Sequence, residues 1–175
     1  MMKIRIRTHP GYAALVLGLL LSLVAVGAAL AGNIDPVNKW AWGTNAGWIN
    51  FNPDNGGVTV YSDHLEGYAW GENVGWIHFQ NDNPAYKVNT AWRSPHGDGS
   101  VDVANRWAWS TNAGWINFNP EQGGVTVYTD HLEGYAWGEN VGWIRLGTCT
   151  GGHACTYANT GPGDYGVNVD VAGNL

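Results

Sequence analysis

Four segments of this 175-residue chain repeat one plan, and that repetition constrains the fold more than any other feature. In each, an aromatic residue, Ala and Trp lead through a small residue and an Asn-containing turn to Gly-Trp-Ile. The copies run from Trp40 to Phe51, Tyr68 to Phe79, Trp107 to Phe118 and Tyr135 to Leu146. Two duplications are nested here. The larger has a period of 67 residues (107 − 40), and of the 42 positions from Asn38 to Phe79 only seven differ from Asn105 to Leu146. They are Lys39/Arg106, Gly43/Ser110, Asp54/Glu121, Asn55/Gln122, Ser62/Thr129, His78/Arg145 and Phe79/Leu146. With so few changes, the two long repeats must fold alike.

A helical reading of the unit fails, because each of its closely spaced glycines costs about 1 kcal/mol against Ala in a helix. The plan reads as a β-hairpin with the four-residue loop Glu72-Asn73-Val74-Gly75. That loop sets Gly71 opposite Trp76, Trp70 opposite Ile77, Ala69 opposite His78 and Tyr68 opposite Phe79. One face then carries Tyr68, Trp70, Ile77 and Phe79, and the other sets Ala69 and Gly71 against His78 and Trp76. On this register Trp40, Trp42, Trp70, Trp107, Trp109 and Trp137 are predicted core. Trp48, Trp76, Trp115 and Trp143 fall on the glycine face, either covered by a neighbouring layer or displayed as a platform for a ligand. Trp92 lies outside the unit and stays unassigned. A lone unit has too few large side chains to offset the entropy of ordering it, so neighbouring units must cover one another.

The links between hairpins are short. Asn52-Pro53 and Gly56-Gly57 mark a reversal, Val58 to Tyr61 is an alternating β-branched strand, and Asp63-His64-Leu65-Glu66-Gly67 turns into the next hairpin. Each long repeat opens on a lead-in, Asn33 to Asn38 or Ser100 to Asn105. The predicted class is therefore all-β, an antiparallel meander of tandem hairpins, closed as a barrel, packed as a sandwich or left open as a solenoid-like array. The long repeats span 32–99 and 100–175, joined at Ser94-Pro95-His96-Gly97-Asp98-Gly99. Residues 98–102 resemble a calcium loop without acids at its first ligand positions, and read as a turn. Tyr86-Lys87-Val88-Asn89 matches Tyr165-Gly166-Val167-Asn168 at an offset of 79, so twelve residues (79 − 67) are inserted after Leu146. Gly166 to Leu175 matches the strand that leads into a hairpin, and the pattern stops there.

Residues 1–31 read as a secretory signal peptide: Lys3, Arg5 and Arg7 precede an apolar run from Ala13 to Leu30, and Ala29-Leu30-Ala31 offers a cleavage site. An uncleaved anchor is the competing reading. Cleavage before Gly32 leaves five basic residues against fourteen acidic, a formal charge of −9 (5 − 14). Lys39, Lys87, Arg93, Arg106 and Arg145 form no run, which argues against nucleic acid and against anionic membranes as partners. Outside the cytoplasm Cys149 and Cys155 are expected to form a disulfide stapling the insertion. A metal site built on Cys149, His153 and Cys155 lacks a fourth ligand, so neither a metal nor a cofactor is expected.

Gly-Tyr-Ala-Trp-Gly-Glu-Asn-Val-Gly-Trp-Ile, at 67–77 and again at 134–144, resembles the motif of exported bacterial tandem-repeat proteins, often found at the cell surface. The resemblance covers essentially all of the chain after the leader, and implies a secreted, periplasmic or surface location with a structural or adhesive role. The aromatic platforms offer a second reading, a lectin-like module in which Trp48, Trp76, Trp115 and Trp143 stack on sugar rings. Asp63-His64-Leu65-Glu66 and Asp130-His131-Leu132-Glu133 read as solvated turns, and no nucleophile elbow, P-loop, dinucleotide fingerprint or zinc-hydrolase helix is present, so no enzyme is expected. Head-to-tail self-association is expected between the tail, Tyr165 to Leu175, and the first hairpin, Trp40 to Phe51, if each is an uncovered edge.

Overall fold

The computed structural model describes residues 32–90, 99–148 and 165–170. The leader, Trp92, most of the inter-repeat linker, Cys149, His153, Cys155 and the last five residues lie outside them, and so do the disulfide and cleavage-site expectations.

Four longer strands organise the molecule: β1 (Gly32–Gly43), β4 (His64–Gly71), β8 (Gly99–Ser110) and β11 (His131–Gly138). Each turns sharply into a short partner, β2 (Gly47–Asn50), β5 (Gly75–His78), β9 (Gly114–Asn117) or β12 (Gly142–Arg145). The other strands are β3 (Gly57–Val60), β6 (Gln80–Asp82), β7 (Ala85–Thr90), β10 (Gly124–Val127) and β13 (Val167–Asp170). All-β architecture follows from the sequence: among the described residues, alternating, β-branched and aromatic stretches broken every few residues by Gly, Asn and Pro leave no helix-length segment.

The meander closes. Following the pairings from β1 through β2, β4, β5, β8, β9, β11 and β12 leads back to β1, every step antiparallel. A second circuit uses the other halves of the same long strands and runs β1, β3, β4, β7, β8, β10, β11, β13 and β1. The molecule is thus two stacked rings of eight strands sharing four. The edges on which head-to-tail association was expected to act are engaged within the chain: β13 pairs with both β1 and β11, and β12 pairs with β1. The short lead-ins are the first halves of β1 and β8. Asp35 and Asp102 bend those strands, each Oδ1 accepting from two backbone amides just ahead at 2.6 to 2.8 Å.

The hairpin register differs from expectation by one residue. Gly71 faces Gly75, Trp70 faces Trp76, Ala69 faces Ile77 and Tyr68 faces His78, and the other three hairpins pair identically. The loop is the triplet Glu72-Asn73-Val74. Gly75 has φ +68°, and its counterparts Gly47, Gly114 and Gly142 have +71°, +76° and +72°. Such a left-handed residue after a turn closes a three-residue loop, so the glycine ends the turn and begins the strand at once. A shift of one residue sends one arm's side chains to the opposite face. Trp40, Trp42, Trp70, Trp107, Trp109 and Trp137 therefore point outward rather than into the core: Trp42, Trp70, Trp109 and Trp137 are 36–40% exposed, and Trp40 and Trp107 are half-buried.

The interior is built in layers of four. Ala41, Ala69, Ala108 and Ala136 are fully buried opposite Ile49, Ile77, Ile116 and Ile144. A ring of eight strands encloses just enough space for side chains, and setting a small residue against a large one fills it without strain. Beneath them lie Phe51, Phe79, Phe118 and Leu146, with the first two ring centroids 5.6 Å apart and Phe79 to Phe118 5.2 Å. Above them, each tight turn drops its third residue inward, so Ala46, Val74, Ala113 and Val141 cap the ring.

A candidate site: paired aromatic grooves

With the core filled by aliphatic residues and Phe, the tryptophans form an outer belt around the upper ring. Each hairpin presents two indoles directly across from one another, Trp42 and Trp48, Trp70 and Trp76, Trp109 and Trp115, Trp137 and Trp143. In the last two hairpins the pair meets edge to face at 4.9 Å between centroids, a geometry worth about 0.5–1.5 kcal/mol beyond area burial. Part of the belt therefore stabilises the hairpins themselves.

Two grooves in the belt have tryptophan walls related by the 67-residue repeat, each completed by a tyrosine from the other long repeat. The first lies between the opening pair of hairpins and is walled by Trp40, Trp48, Trp70 and Tyr165, with Glu72 and Asn73 on its rim. The second lies between the closing pair of hairpins and is walled by Trp107, Trp109, Trp115, Trp137 and Tyr86, with Glu139 and Asn140 on its rim. Their volumes are about 610 and 860 Å³, within the usual range of small-ligand sites, about 300–1,000 Å³. Among the described residues no Lys or Arg lines either one.

The walls stand at right angles. Tyr165 meets Trp48 at 5.2 Å and 88°, and Tyr86 meets Trp115 at 5.1 Å and 88°. Trp40 and Trp107 flank the same indoles at 6.4 Å. The rim asparagines are fixed from behind: Asn73 Nδ2 donates to Asn45 O at 3.4 Å and Asn140 Nδ2 to Ala113 O at 3.0 Å. Their side-chain oxygens and the exposed Glu72 and Glu139 face solvent at the turns. The adjacent cations lie over groove-wall indoles, Lys39 Nζ 5.9 Å from the Trp40 ring and the Arg106 guanidinium 5.5 Å from the Trp107 ring, while Lys39 Nζ donates to Asn52 O and Arg106 Nη1 to Asn119 O, each at 3.1 Å.

The four glycine-face tryptophans thus divide into two kinds. Trp48, Trp115 and Trp143 are 51%, 41% and 39% exposed, but only Trp48 and Trp115 line the grooves. Trp76 and Trp143 instead lie over the preceding turn, where a Cβ on Gly56 or Gly123 would come within 2.9 Å of the indole Cζ3. The glycine beneath each indole is therefore Gly56 or Gly123, not the Gly71 of its own hairpin.

The two groove tyrosines have different supports. Tyr86 Oη lies 3.0 Å from His78 Nδ1, and that imidazole stacks flat on Tyr68 at 4.2 Å. Burial holds His78 below its ordinary value, with Glu66 opposing, and burial raises Tyr86. At the matching place in the second repeat stands Arg145, whose guanidinium lies 5.8 Å from the Tyr135 ring and donates to Thr148 O at 3.2 Å. Tyr165 is raised by burial, against a downward pull from Arg145.

The Asp-His-Leu-Glu segments are not solvated turns in their imidazoles. His64 Nδ1 lies 2.7 Å from Asp63 Oδ1 and its Nε2 lies 3.8 Å from Glu66, with Tyr61 stacked on the ring at 4.6 Å. His131 repeats the arrangement with Asp130, Glu133 and Tyr128, and is 2% exposed. His64 pulls Asp63 below the usual carboxylate range. Neither histidine lines a groove, and among the described residues no cluster of His, Cys, Asp and Glu is arranged to hold a metal.

Fold and site together define a closed β-ring with an outward aromatic belt. No family model, curated protein or solved structure matches the chain.

Proposed function

We propose that this chain is an exported adhesive protein that holds neutral glycans by stacking sugar rings in its two aromatic grooves. The observation that carries the reading is that both grooves share three equivalent tryptophans, a tyrosine supplied by the other long repeat and a Glu-Asn rim, with Trp109 added in the second. Hairpin stability accounts for indoles paired across strands. It does not require Tyr86 and Tyr165, which come from other strands and stand perpendicular to the open indoles.

The chemistry favours carbohydrate among small ligands. Pyranose rings present a flat C–H face to an indole and a belt of hydroxyls at the edge, and the groove supplies aromatic planes with amide and carboxylate acceptors at the rim. The lining side chains among the described residues are acidic or neutral, and the Glu72 and Glu139 carboxylates on the rims oppose sulfated or uronate-rich polymers. The reading assigns binding without catalysis, and export rests on the leader-like residues 1–31.

The test is retention of the mature protein on a neutral glucan, mannan, galactan and chitin beside a sulfated galactan, with tryptophan emission recorded on titration. Retention on a neutral polymer with a blue shift, lost in Trp48→Ala/Trp115→Ala, supports the reading. Indifference to every neutral polymer, or preference for the sulfated one, sinks it.

A further inference from the structure

We infer that the two grooves make the protein a cross-linker that joins two separate glycan chains and cannot place both sites on one surface. The inference rests on the proposed glycan reading and adds its valence and geometry. In the upper ring the first groove sits over β1, β2 and β4, and the second over β8, β9 and β11. The pairing order β1, β2, β4, β5, β8, β9, β11, β12 separates each member of one groove from its counterpart by four strands in a circuit of eight. Four of eight is halfway round, so the grooves open in opposite directions.

Direction decides what two sites can do. Two sites facing the same way on one rigid body would grip a glycan-coated plane together and raise avidity by about 10²–10⁴. Back-to-back sites on a closed ring forfeit that gain, because geometry forbids simultaneous engagement of one plane. They bridge instead. The ring resists reorientation because both circuits share β1, β4, β8 and β11, leaving no hinge between the two grooves.

The test uses the polysaccharide retained above and a short oligosaccharide prepared from it. Titration calorimetry of the wild-type protein with the oligosaccharide should give two sites per chain, and mixing with the soluble polymer should raise light scattering to a maximum and dissolve it at excess polymer. Trp48→Ala and Trp115→Ala should each bind one oligosaccharide and raise no scattering. On a planar film of the polymer, both variants should dissociate within about 2-fold of wild type, far from the 10²-fold or more that shared avidity would lose. One site per wild-type chain, or 10²-fold faster release of either variant from the film, overturns the inference while leaving glycan binding intact. The wild-type stoichiometry and scattering need no variant to fold. Failure to bind any polymer removes the parent reading and this one together.

Discussion

The joint between β5 and β8, where the first long repeat runs into the second, and the joint between β12 and β1, where the ring closes, use the same repeat positions and are held differently. At the first, Ser110 Oγ donates to Val74 O at 2.5 Å and accepts from Ala113 N at 3.0 Å, Thr111 N donates to Trp76 O at 3.0 Å, and Thr111 Oγ1 accepts from Trp76 N at 3.1 Å. At the second, Gly43 replaces Ser110, and Thr44, identical in kind to Thr111, makes no matching bond. The turns also stand further apart there. A Cβ on Gly75 would clash with Thr111 Oγ1, whereas one on Gly142 would have 3.8 Å to its nearest neighbours. A near-perfect duplication therefore does not give a symmetric ring. One buried serine hydroxyl, donating once and accepting once, tightens the joint where the repeats adjoin, and the closing joint is held by β12–β1 pairing without it.

The largest expected effect tests whether both joints carry the core. Ile77→Ala and Ile144→Ala, buried on the β5 and β12 sides, should each cost about 2–5 kcal/mol in denaturant unfolding. A much smaller cost for Ile144→Ala would mean that the closing joint already yields in the native state.

Ser110→Gly removes the hydroxyl, takes the acceptor from Ala113 N and leaves Val74 O with Asn112 N alone, and should cost about 1–3 kcal/mol. Hydrogen exchange in β5 and β8 should then rise to the level of β12 and β1. Gly43→Ser should not tighten its own joint, because its Cβ would sit 2.6 Å from Trp143 O. A stabilised Gly43→Ser protein would show the closing joint to be adaptable and end the contrast.

Smaller again are the outward indoles. Trp70→Ala and Trp137→Ala should each cost about 1–2 kcal/mol, reflecting a partly exposed cross-strand pair rather than a core cavity. Losses matching those of Ile77→Ala would contradict the outward face.

The smallest effect concerns pH, and separates the repeats through His78 and Arg145. Burial depresses His78 from 6.5, so just below pH 6.5 the unfolded chain binds more protons than the folded one. This contribution to stability is complete above pH 6.5 and is lost as the pH falls through the folded value. Melting curves at pH 7.5 and 5 should show a slightly smaller acid loss for His78→Gln than for wild type. An identical loss in both would remove His78 as a source.

Much of this was legible in the chain. The duplication, the hairpins, the strand at Val58–Val60 and the match of Tyr86 to Tyr165 all appear as residue patterns, and Ile77 and Phe79 face inward as their apolarity demands. The error in the faces came from Gly75. A glycine that ends a loop and starts a strand is indistinguishable, as a letter, from one that merely ends the loop, and only its positive φ settles the register. Closure was illegible for another reason: Gly43 and Ile144 pair across about a hundred residues, and no local pattern encodes such a contact. The grooves inherited both gaps. Tyr165 reaches Trp48 only through the closing pairing of β13 with β1, and Tyr86 reaches Trp115 only once β7 has paired with β8, so no single segment announces the site.

The late position of β13 has a consequence for how the chain is made. β1 is among the first strands to appear, yet β12 and β13, two of its partners, are the last two described strands. Throughout synthesis and passage of the chain, one flank of β1 waits unpaired while three hairpins assemble beside it. A chain released early, before Val167–Asp170, would keep that flank bare and sticky. Products that stop short of β13 leave that part of β1 unpaired and should betray themselves as substrates for proteases.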